Sequence, residues 1–98
     1  MNYLIFYDIG PNNIRTRVAR RLLAEGFERI QLSVFTGTTK PQDNTLLWND
    51  LCQWLAADPA SRLFVIAVTE NNLRNMAIIG DYFPDFDYLS GSKHTLFI

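Results

Sequence analysis

The chain has 98 residues and a formal net charge of −1, and hydrophobic residues make up 48% of it. This length and composition indicate one folded domain and exclude an intrinsically disordered protein. The single cysteine, Cys52, excludes an internal disulfide and a cysteine-cluster metal site. No apolar stretch approaches the ~18 residues of a membrane helix and no signal peptide is apparent, so we expect a cytoplasmic protein with no membrane association.

The first predicted element is a buried strand at residues 2 to 9, with the sequence NYLIFYDI. It is rich in aromatic and branched residues and apolar on both faces, which is typical of a central strand. A Gly-Pro pair ends the strand, and either of the two residues that follow, Asn12 or Asn13, is expected to cap a helix.

The second predicted element is an arginine-rich helix that runs to about Glu25 and is ended by a glycine. At ~100° per residue, its apolar residues gather on one side and Arg17, Arg20 and Arg21 on the other. Arg15 projects with the apolar side, but from the first turn, where it can reach past the sheet edge. The basic face is either an ordinary solvated surface or a phosphate-binding one.

Residues 27 to 39 alternate in the manner of a strand. The segment is long enough for two short strands, with a kink near Leu32 and Ser33.

Residues 43 to about 57 are predicted to form the second helix, capped by Asp43 or Asn44. Its leucines and tryptophans make one broad apolar stripe, which is typical of a core-facing helix. Cys52 falls on this stripe, so we expect it to be a small core residue.

The remainder consists of a clear strand at residues 62 to 69, an irregular segment at 70 to 86 and two short extended pieces at 87 to 98. The order strand, helix, one or two strands, helix, strand predicts an α+β fold, the ferredoxin-like βαββαβ sandwich with an extra C-terminal strand. We expect one domain over residues 1–98. The tail at 85–98 pairs with its own sheet, or is exchanged with a sister subunit or donated to a partner.

Asp8 closes the first strand, on the same face as Leu4 and Phe6 and just before the basic helix. A carboxylate there could hold Mg²⁺ near a phosphate, but one aspartate alone is a poor site, and a turn cap or a pair with Arg15 remains an alternative. A two-fold axis near the strand end would bring two copies of Asp8 together, and a cation could satisfy both. Any phosphodiester cleavage would depend on a metal-activated water, since the lone His94 is distant in sequence.

Three arginines on one helix face are more than solubility requires, and each guanidinium can donate two hydrogen bonds at once to a phosphate. The sequence contains no base-reading device and no aromatic RNA-binding strand signature. Sequence-neutral binding to the backbone of a duplex therefore fits best.

Three motifs, in order, resemble the Cas2 family of small CRISPR adaptation proteins. They are YDI at residues 7 to 9, RTRVARRLLAEG at 15 to 26, and R-x-Q-x-SVF-x-G at 29 to 37. The resemblance covers residues 3 to 37 and is architectural from 43 to 70. Beyond residue 70 the chain is divergent.

This resemblance implies a ferredoxin-like homodimer that sits between two dimers of the CRISPR integrase, with double-stranded DNA across its basic helices. It implies that Tyr7 packs with its hydroxyl bonded, and that Asp8 is the catalytic and metal-binding residue of a Mg²⁺-dependent endonuclease acting on RNA or DNA. The metal would be shared across the dimer interface. The implied nucleic-acid-binding residues are Arg15, Arg17, Arg20, Arg21, Arg29 and Ser33.

Three functions therefore stay open. The first is a dimeric DNA-binding scaffold in CRISPR spacer acquisition. The second is a metal-dependent nuclease, in this family or in the toxin-like group with the same fold. The third is a ferredoxin-like regulatory module that binds a small ligand, which would not require four arginines on the first helix.

Overall fold

A four-stranded antiparallel sheet with two helices packed on one face forms the framework of the protein; the computed structural model describes residues 1–80. The strand order is β2-β3-β1-β4, the ferredoxin-like βαββαβ arrangement that the sequence predicts. In chain order the elements are β1 (Asn2–Asp8), α1 (Asn12–Ala24), β2 (Glu28–Gln31), β3 (Val34–Gly37), a 3₁₀ turn (Pro41–Asp43), α2 (Thr45–Ala56), β4 (Arg62–Val68) and α3 (Glu70–Arg74).

β1 is a central strand with β3 and β4 on either side, as its apolar sequence predicts. Ile5 and Tyr7 are buried in the core with Phe35 of β3 and the apolar residues of α1 and α2. Leu4 and Phe6 alternate with them and therefore face the other side of the sheet. The strand thus sends its odd-numbered residues into the core and ends with Asp8 on the helix-free side.

The start of α1 differs from the prediction. Pro11 occupies the cap position, and no side chain caps the helix. The expectation that Asn12 or Asn13 would cap it is wrong, because both lie inside the first turn and the Asn12 side chain accepts a hydrogen bond from Arg15 instead. The predicted glycine stop is confirmed, since Gly26 adopts a φ of 92° just after the helix.

The segment from 27 to 39 contains two strands, and the break between them lies at Leu32 and Ser33, as predicted. The strand that follows the break ends at Gly37, where a Cβ atom would overlap the ring of Phe27. Phe27 is buried, so the glycine allows the residue after α1 to pack directly on the end of β3.

α2 begins at Thr45, and the side chain of Asn44 caps it by accepting a hydrogen bond from the Leu47 amide at 3.1 Å. This confirms one of the two predicted caps. The helix buries Leu47 and Leu51, but Cys52 is exposed, so its assignment to the core is wrong. Cys52 instead lines a small cavity with Leu51 and with Leu63 of β4.

The segment after β4 was expected to be irregular, and that is wrong for its first five residues, which form α3. The Thr69 hydroxyl caps this helix by accepting from the Asn72 amide at 3.0 Å. Leu73 is buried, and with Leu4 and Val68 it lines a small cavity of about 210 Å³. α3 therefore packs against the face of the sheet opposite α1 and α2, over the end that is remote from Asp8.

On the rest of that side three large apolar residues are exposed, and we call Phe6, Phe64 and Ile66, together with the half-buried Leu4, the open face. The rings of Phe6 and Phe64 stack with centroids 5.0 Å apart, yet the two residues are 38% and 47% exposed. Ile66, the cross-strand neighbour of Leu4, is 50% exposed. Patches of this kind are typical of interaction surfaces.

The predicted C-terminal strand and tail, residues 85–98, lie outside the described residues. Within residues 1–80, no helix is both long enough and apolar enough to cross a membrane.

Candidate nucleic-acid interface

Asp8 stands at the end of β1 and is exposed. Its cross-strand neighbour is Arg62, the first residue of β4. Within residues 1–80 no ion pair involves Asp8, so its carboxylate is not neutralised by a cation there. The alternative pairing of Asp8 with Arg15 is not observed.

Arg15 instead fastens the loop between β1 and α1. Its Nη1 donates to the carbonyl oxygens of Ile9 and Gly10, each at 3.0 Å, and its Nη2 donates to the Asn12 side chain. All three acceptors are neutral. The guanidinium is therefore held in place by acceptors that carry no net charge.

Arg29 is fixed in the same manner on the other side of Tyr7. Its Nε and Nη2 donate to the Leu32 carbonyl at 3.1 and 2.7 Å, and its guanidinium lies 5.2 Å from the Phe35 ring centroid. The Tyr7 hydroxyl donates to the same carbonyl at 3.1 Å, which confirms that this tyrosine is packed and bonded. The Tyr7 amide also donates to the Ser33 carbonyl at 3.1 Å, so the β2–β3 turn is tied to the end of β1.

These side chains meet in one cleft of about 440 Å³, which we call the Asp8 cleft. It brings together four predicted site residues from three separate segments: Asp8, Arg15, Arg29 and Ser33. Within residues 1–80 neither guanidinium forms an ion pair, so the two arginines can hold a phosphodiester beside the Asp8 carboxylate. The remaining lining residues are Tyr7, Ile9, Thr16 and Leu32.

The other three predicted arginines lie on the outside of α1, and we call Arg17, Arg20 and Arg21 the α1 outer face. Arg21 donates to the Asp50 carboxylate of α2 at 2.6 Å and lies 3.5 Å from Glu25. The hydrogen bond to Asp50 is the main cause that raises the pKa of Arg21 above its usual value.

An indole ring organises the same surface. The guanidinium groups of Arg17 and Arg21 lie 5.5 and 5.8 Å from the Trp54 ring centroid, within the range of cation–π attraction. Arg20 is exposed, and within residues 1–80 it takes part in no ion pair. The three arginines therefore differ, because Arg21 joins α1 to α2 while Arg17 and Arg20 form no ion pair in the described part of the chain.

Metal ligands are sparse in the part of the chain that the structure describes. No group of three His, Cys, Asp or Glu side chains is close enough to hold an ion there. The donor set of residues 1–80 in one copy does not fit Mg²⁺, because Asp8 contributes one carboxylate to a cation that prefers several oxygen ligands.

Sequence reasoning missed Arg62, Asp50 and the role of Trp54. Arg62 lies opposite Asp8 in the register of two strands that are far apart in the chain, and Asp50 bonds Arg21 across a helix pair. Periodicity within one element carries no signal for either arrangement. The Thr69-Glu70 start of α3, by contrast, carried a capping signal that could have been used.

Comparisons with known proteins agree with this architecture. A family model described as "CRISPR associated protein Cas2" matches residues 1–76. A protein of Archaeoglobus fulgidus named "CRISPR-associated endoribonuclease Cas2 1" is 30% identical over 70 residues, which cover 71% of this chain and 73% of that protein. The crystal structure of Streptococcus pyogenes Cas2 at pH 6.5 superposes with a TM-score of 0.66 at 21% identity, covering 82% of this chain and 100% of the other, and at that identity it shows the fold alone.

Proposed function

Because the chain belongs to the CRISPR-associated Cas2 family, we propose that it is a duplex-DNA-binding scaffold that acts with the CRISPR integrase in spacer acquisition. The observation that carries the proposal is the Asp8 cleft, where Arg15 and Arg29 are fixed in position by neutral acceptors and form no ion pair with any residue from 1 to 80. The small-ligand regulatory module has no such support, since its ligand need not be an anion.

The acceptors of the two guanidinium groups support phosphate binding. A carbonyl oxygen carries no net charge, so it orients an arginine and leaves its electrostatic attraction to an anion intact. Holding the side chain also reduces the rotamer entropy that is lost when a ligand binds. The Asp8 cleft is therefore prepared for a phosphate group of a nucleic-acid backbone, and such contacts are independent of base sequence.

The open face supports a homodimer. It exposes two stacked phenylalanines and Ile66 on the same side of the sheet as Asp8. A second copy related by a two-fold axis would cover this apolar surface with its own equivalent, because a two-fold interface is self-complementary. The same axis would place two Asp8 carboxylates on one side of the assembly, next to two sets of cationic residues.

The dimer is tested by sedimentation of a Phe64→Lys variant, which puts a charge at the centre of the open face. We expect dissociation to monomers, while Leu46→Lys, a control at an exposed leucine of α2, keeps the mass of the wild type. Equal masses for the wild type and both variants would refute this interface.

A metal-dependent endonuclease is the second candidate function. An exposed carboxylate between cations favours it, and so does the endoribonuclease named among the relatives. Two Asp8 side chains in a dimer would give Mg²⁺ the second carboxylate that one chain lacks, and a bound Mg²⁺ would activate water for attack on phosphorus. Asp8 would hold the cation, while Arg15 and Arg29 would hold the phosphodiester.

The Asp8→Asn variant separates the two functions. Removing a carboxylate from a phosphate-binding cleft should leave duplex binding unchanged or tighter, and a scaffold should still support integrase-dependent spacer capture. A nuclease should lose cleavage of labelled RNA and DNA with Mg²⁺ present, whereas Asp43→Asn, at an exposed acid outside the cleft, should retain it. Failure of the wild-type protein to bind duplex DNA at about 50 mM salt would overturn the scaffold proposal.

A further inference from the structure

The fold places Arg62 opposite Asp8, a residue that is distant from it in the sequence. As the first residue of β4, it is the direct cross-strand partner of Asp8, so the two side chains leave the sheet on the same side. Both residues are exposed, and within residues 1–80 no ion pair joins them or involves either one. The arginine therefore stands beside the carboxylate with its charge available.

The sheet order places positive charge on both sides of Asp8. β1 lies between β3 and β4. On the β3 side is the Asp8 cleft with Arg29 and Ser33, and on the β4 side is Arg62. Because adjacent strands are about 5 Å apart, β3 and β4 lie about 10 Å from each other across β1, and Arg29, which starts from β2, lies one strand further from Arg62, at about 15 Å.

We propose that Arg62 binds a second phosphate of the same nucleic-acid strand, next to the phosphate in the Asp8 cleft. The strand would cross the end of β1, with Asp8 beneath the nucleotide that separates the two phosphates. This inference rests on the proposed function. It adds a phosphate-binding residue to that site and gives the direction in which the nucleic-acid strand crosses it. It also explains why an otherwise apolar strand, Arg62–Val68, begins with an exposed cation at this position.

The competing interpretation is that Arg62 acts as the counter-ion of Asp8. In that case removal of Arg62 would weaken phosphate binding indirectly, because the Asp8 carboxylate would then repel the phosphate more strongly. The Asp8→Asn variant distinguishes the two, because a counter-ion has no role once the carboxylate is gone, whereas a phosphate ligand retains its role.

The experiment measures binding of a short DNA duplex as a function of salt for wild type, Arg62→Ala, Arg62→Lys and the control Lys40→Ala. Lys40 is an exposed cation that lines a different cleft, near the C-terminal end of α1, and its loss changes the net charge equally. We expect Arg62→Ala to weaken binding up to tenfold at low salt and to reduce the slope of log K against log salt by about 0.9, the value for one phosphate contact. Arg62→Lys should retain most of the slope, and Lys40→Ala should resemble the wild type.

The same loss should be seen when Arg62→Ala is introduced into the Asp8→Asn protein. If Arg62→Ala matches Lys40→Ala while Arg15→Ala and Arg29→Ala weaken binding, the inference is wrong and the proposed function stands. Loss of the Arg62→Ala effect in the Asp8→Asn background would also overturn it, in favour of the counter-ion role. If the wild-type protein binds no duplex, the proposed function fails and this inference fails with it.

Discussion

The arginines of the Asp8 cleft and those of the α1 outer face share a side chain but differ in what accepts their hydrogen bonds. In the cleft, Arg15 and Arg29 donate to backbone carbonyls and to one amide oxygen. On the outer face, Arg21 donates to a carboxylate of α2 and lies near a second one on its own helix. A neutral acceptor orients a guanidinium and preserves its charge, whereas a carboxylate orients it and cancels that charge.

This difference changes how a run of arginines in a sequence should be interpreted. Four arginines between residues 15 and 21 suggest one continuous anion-binding face. The folded chain divides them, and it joins Arg15 to a fifth arginine, Arg29, that is fourteen positions away. The local density of arginines in the sequence therefore overestimates the positive charge available to an anion on the α1 outer face and underestimates it in the Asp8 cleft.

The largest effect is expected in the cleft itself. Arg29→Ala should weaken duplex binding at least tenfold and reduce the salt slope by about 0.9, because a charge-assisted contact of about 1.5–3 kcal/mol is lost. Measurement of binding by fluorescence anisotropy across a salt series checks this. Arg29→Lys should recover part of the affinity, and a wild-type affinity for Arg29→Ala would contradict the distinction between the two regions.

A smaller effect of opposite sign is expected from Asp50→Asn on the outer face. Without the Asp50 carboxylate, Arg21 keeps only the longer contact with Glu25 at 3.5 Å and becomes more available to a phosphate, so duplex affinity should rise a few-fold and the salt slope should increase. Asp43→Asn makes the same change in net charge near the start of α2 and should have less effect. The Asp50→Asn gain should vanish in an Arg21→Ala background, and persistence of the gain there would show that Asp50 does not act through Arg21.

Tyr7→Phe tests whether the turn, and not only the charge, prepares the cleft. The substitution removes the hydroxyl that donates to the Leu32 carbonyl, and it should reduce the free energy of unfolding by about 1 kcal/mol. Urea denaturation provides this value. Duplex affinity should fall less than for Arg29→Ala, since the guanidinium still donates two hydrogen bonds to the same carbonyl.

The smallest effect on binding is expected for Arg21→Ala, since its charge is already neutralised. Duplex affinity should change by less than that of Arg20→Ala, while the unfolding midpoint in urea should fall more. Because the pKa of Arg21 is raised in the folded state, this stabilisation is fully present below the usual arginine pKa and is lost only as the pH rises through the raised value. The midpoint difference should therefore be constant across neutral pH, and a larger binding defect than Arg20→Ala would contradict the assignment.

Much of the fold was predictable because its determinants are local. The apolar run of β1, the glycine stop of α1, the break at Leu32 and Ser33 and the Asn44 cap each depend on residues close in sequence. The cap of α1 was mispredicted because Pro11 takes the position that an asparagine would occupy.

The functional role of the predicted site residues stays a prediction, but their grouping can be compared with the fold. The resemblance named Asp8, Arg15, Arg29 and Ser33, and the fold gathers them in one cleft. It could not reveal that Arg21 meets Asp50, since that contact spans 29 positions and depends on how two helices cross. The position of Arg62 likewise depends on strand register, which a single sequence does not encode in any local pattern.

The carbonyl of Leu32 accepts hydrogen bonds from both Tyr7 and Arg29, while its side chain is 78% exposed. The atom that accepts these hydrogen bonds is a backbone carbonyl oxygen, which every amino acid carries. Position 32 should therefore accept a wide range of residues in a saturation library, even though its carbonyl accepts hydrogen bonds from Tyr7 and Arg29 at the cleft. An alignment that scores side-chain identity would rank it as dispensable, although the backbone there fixes the shape of the binding surface.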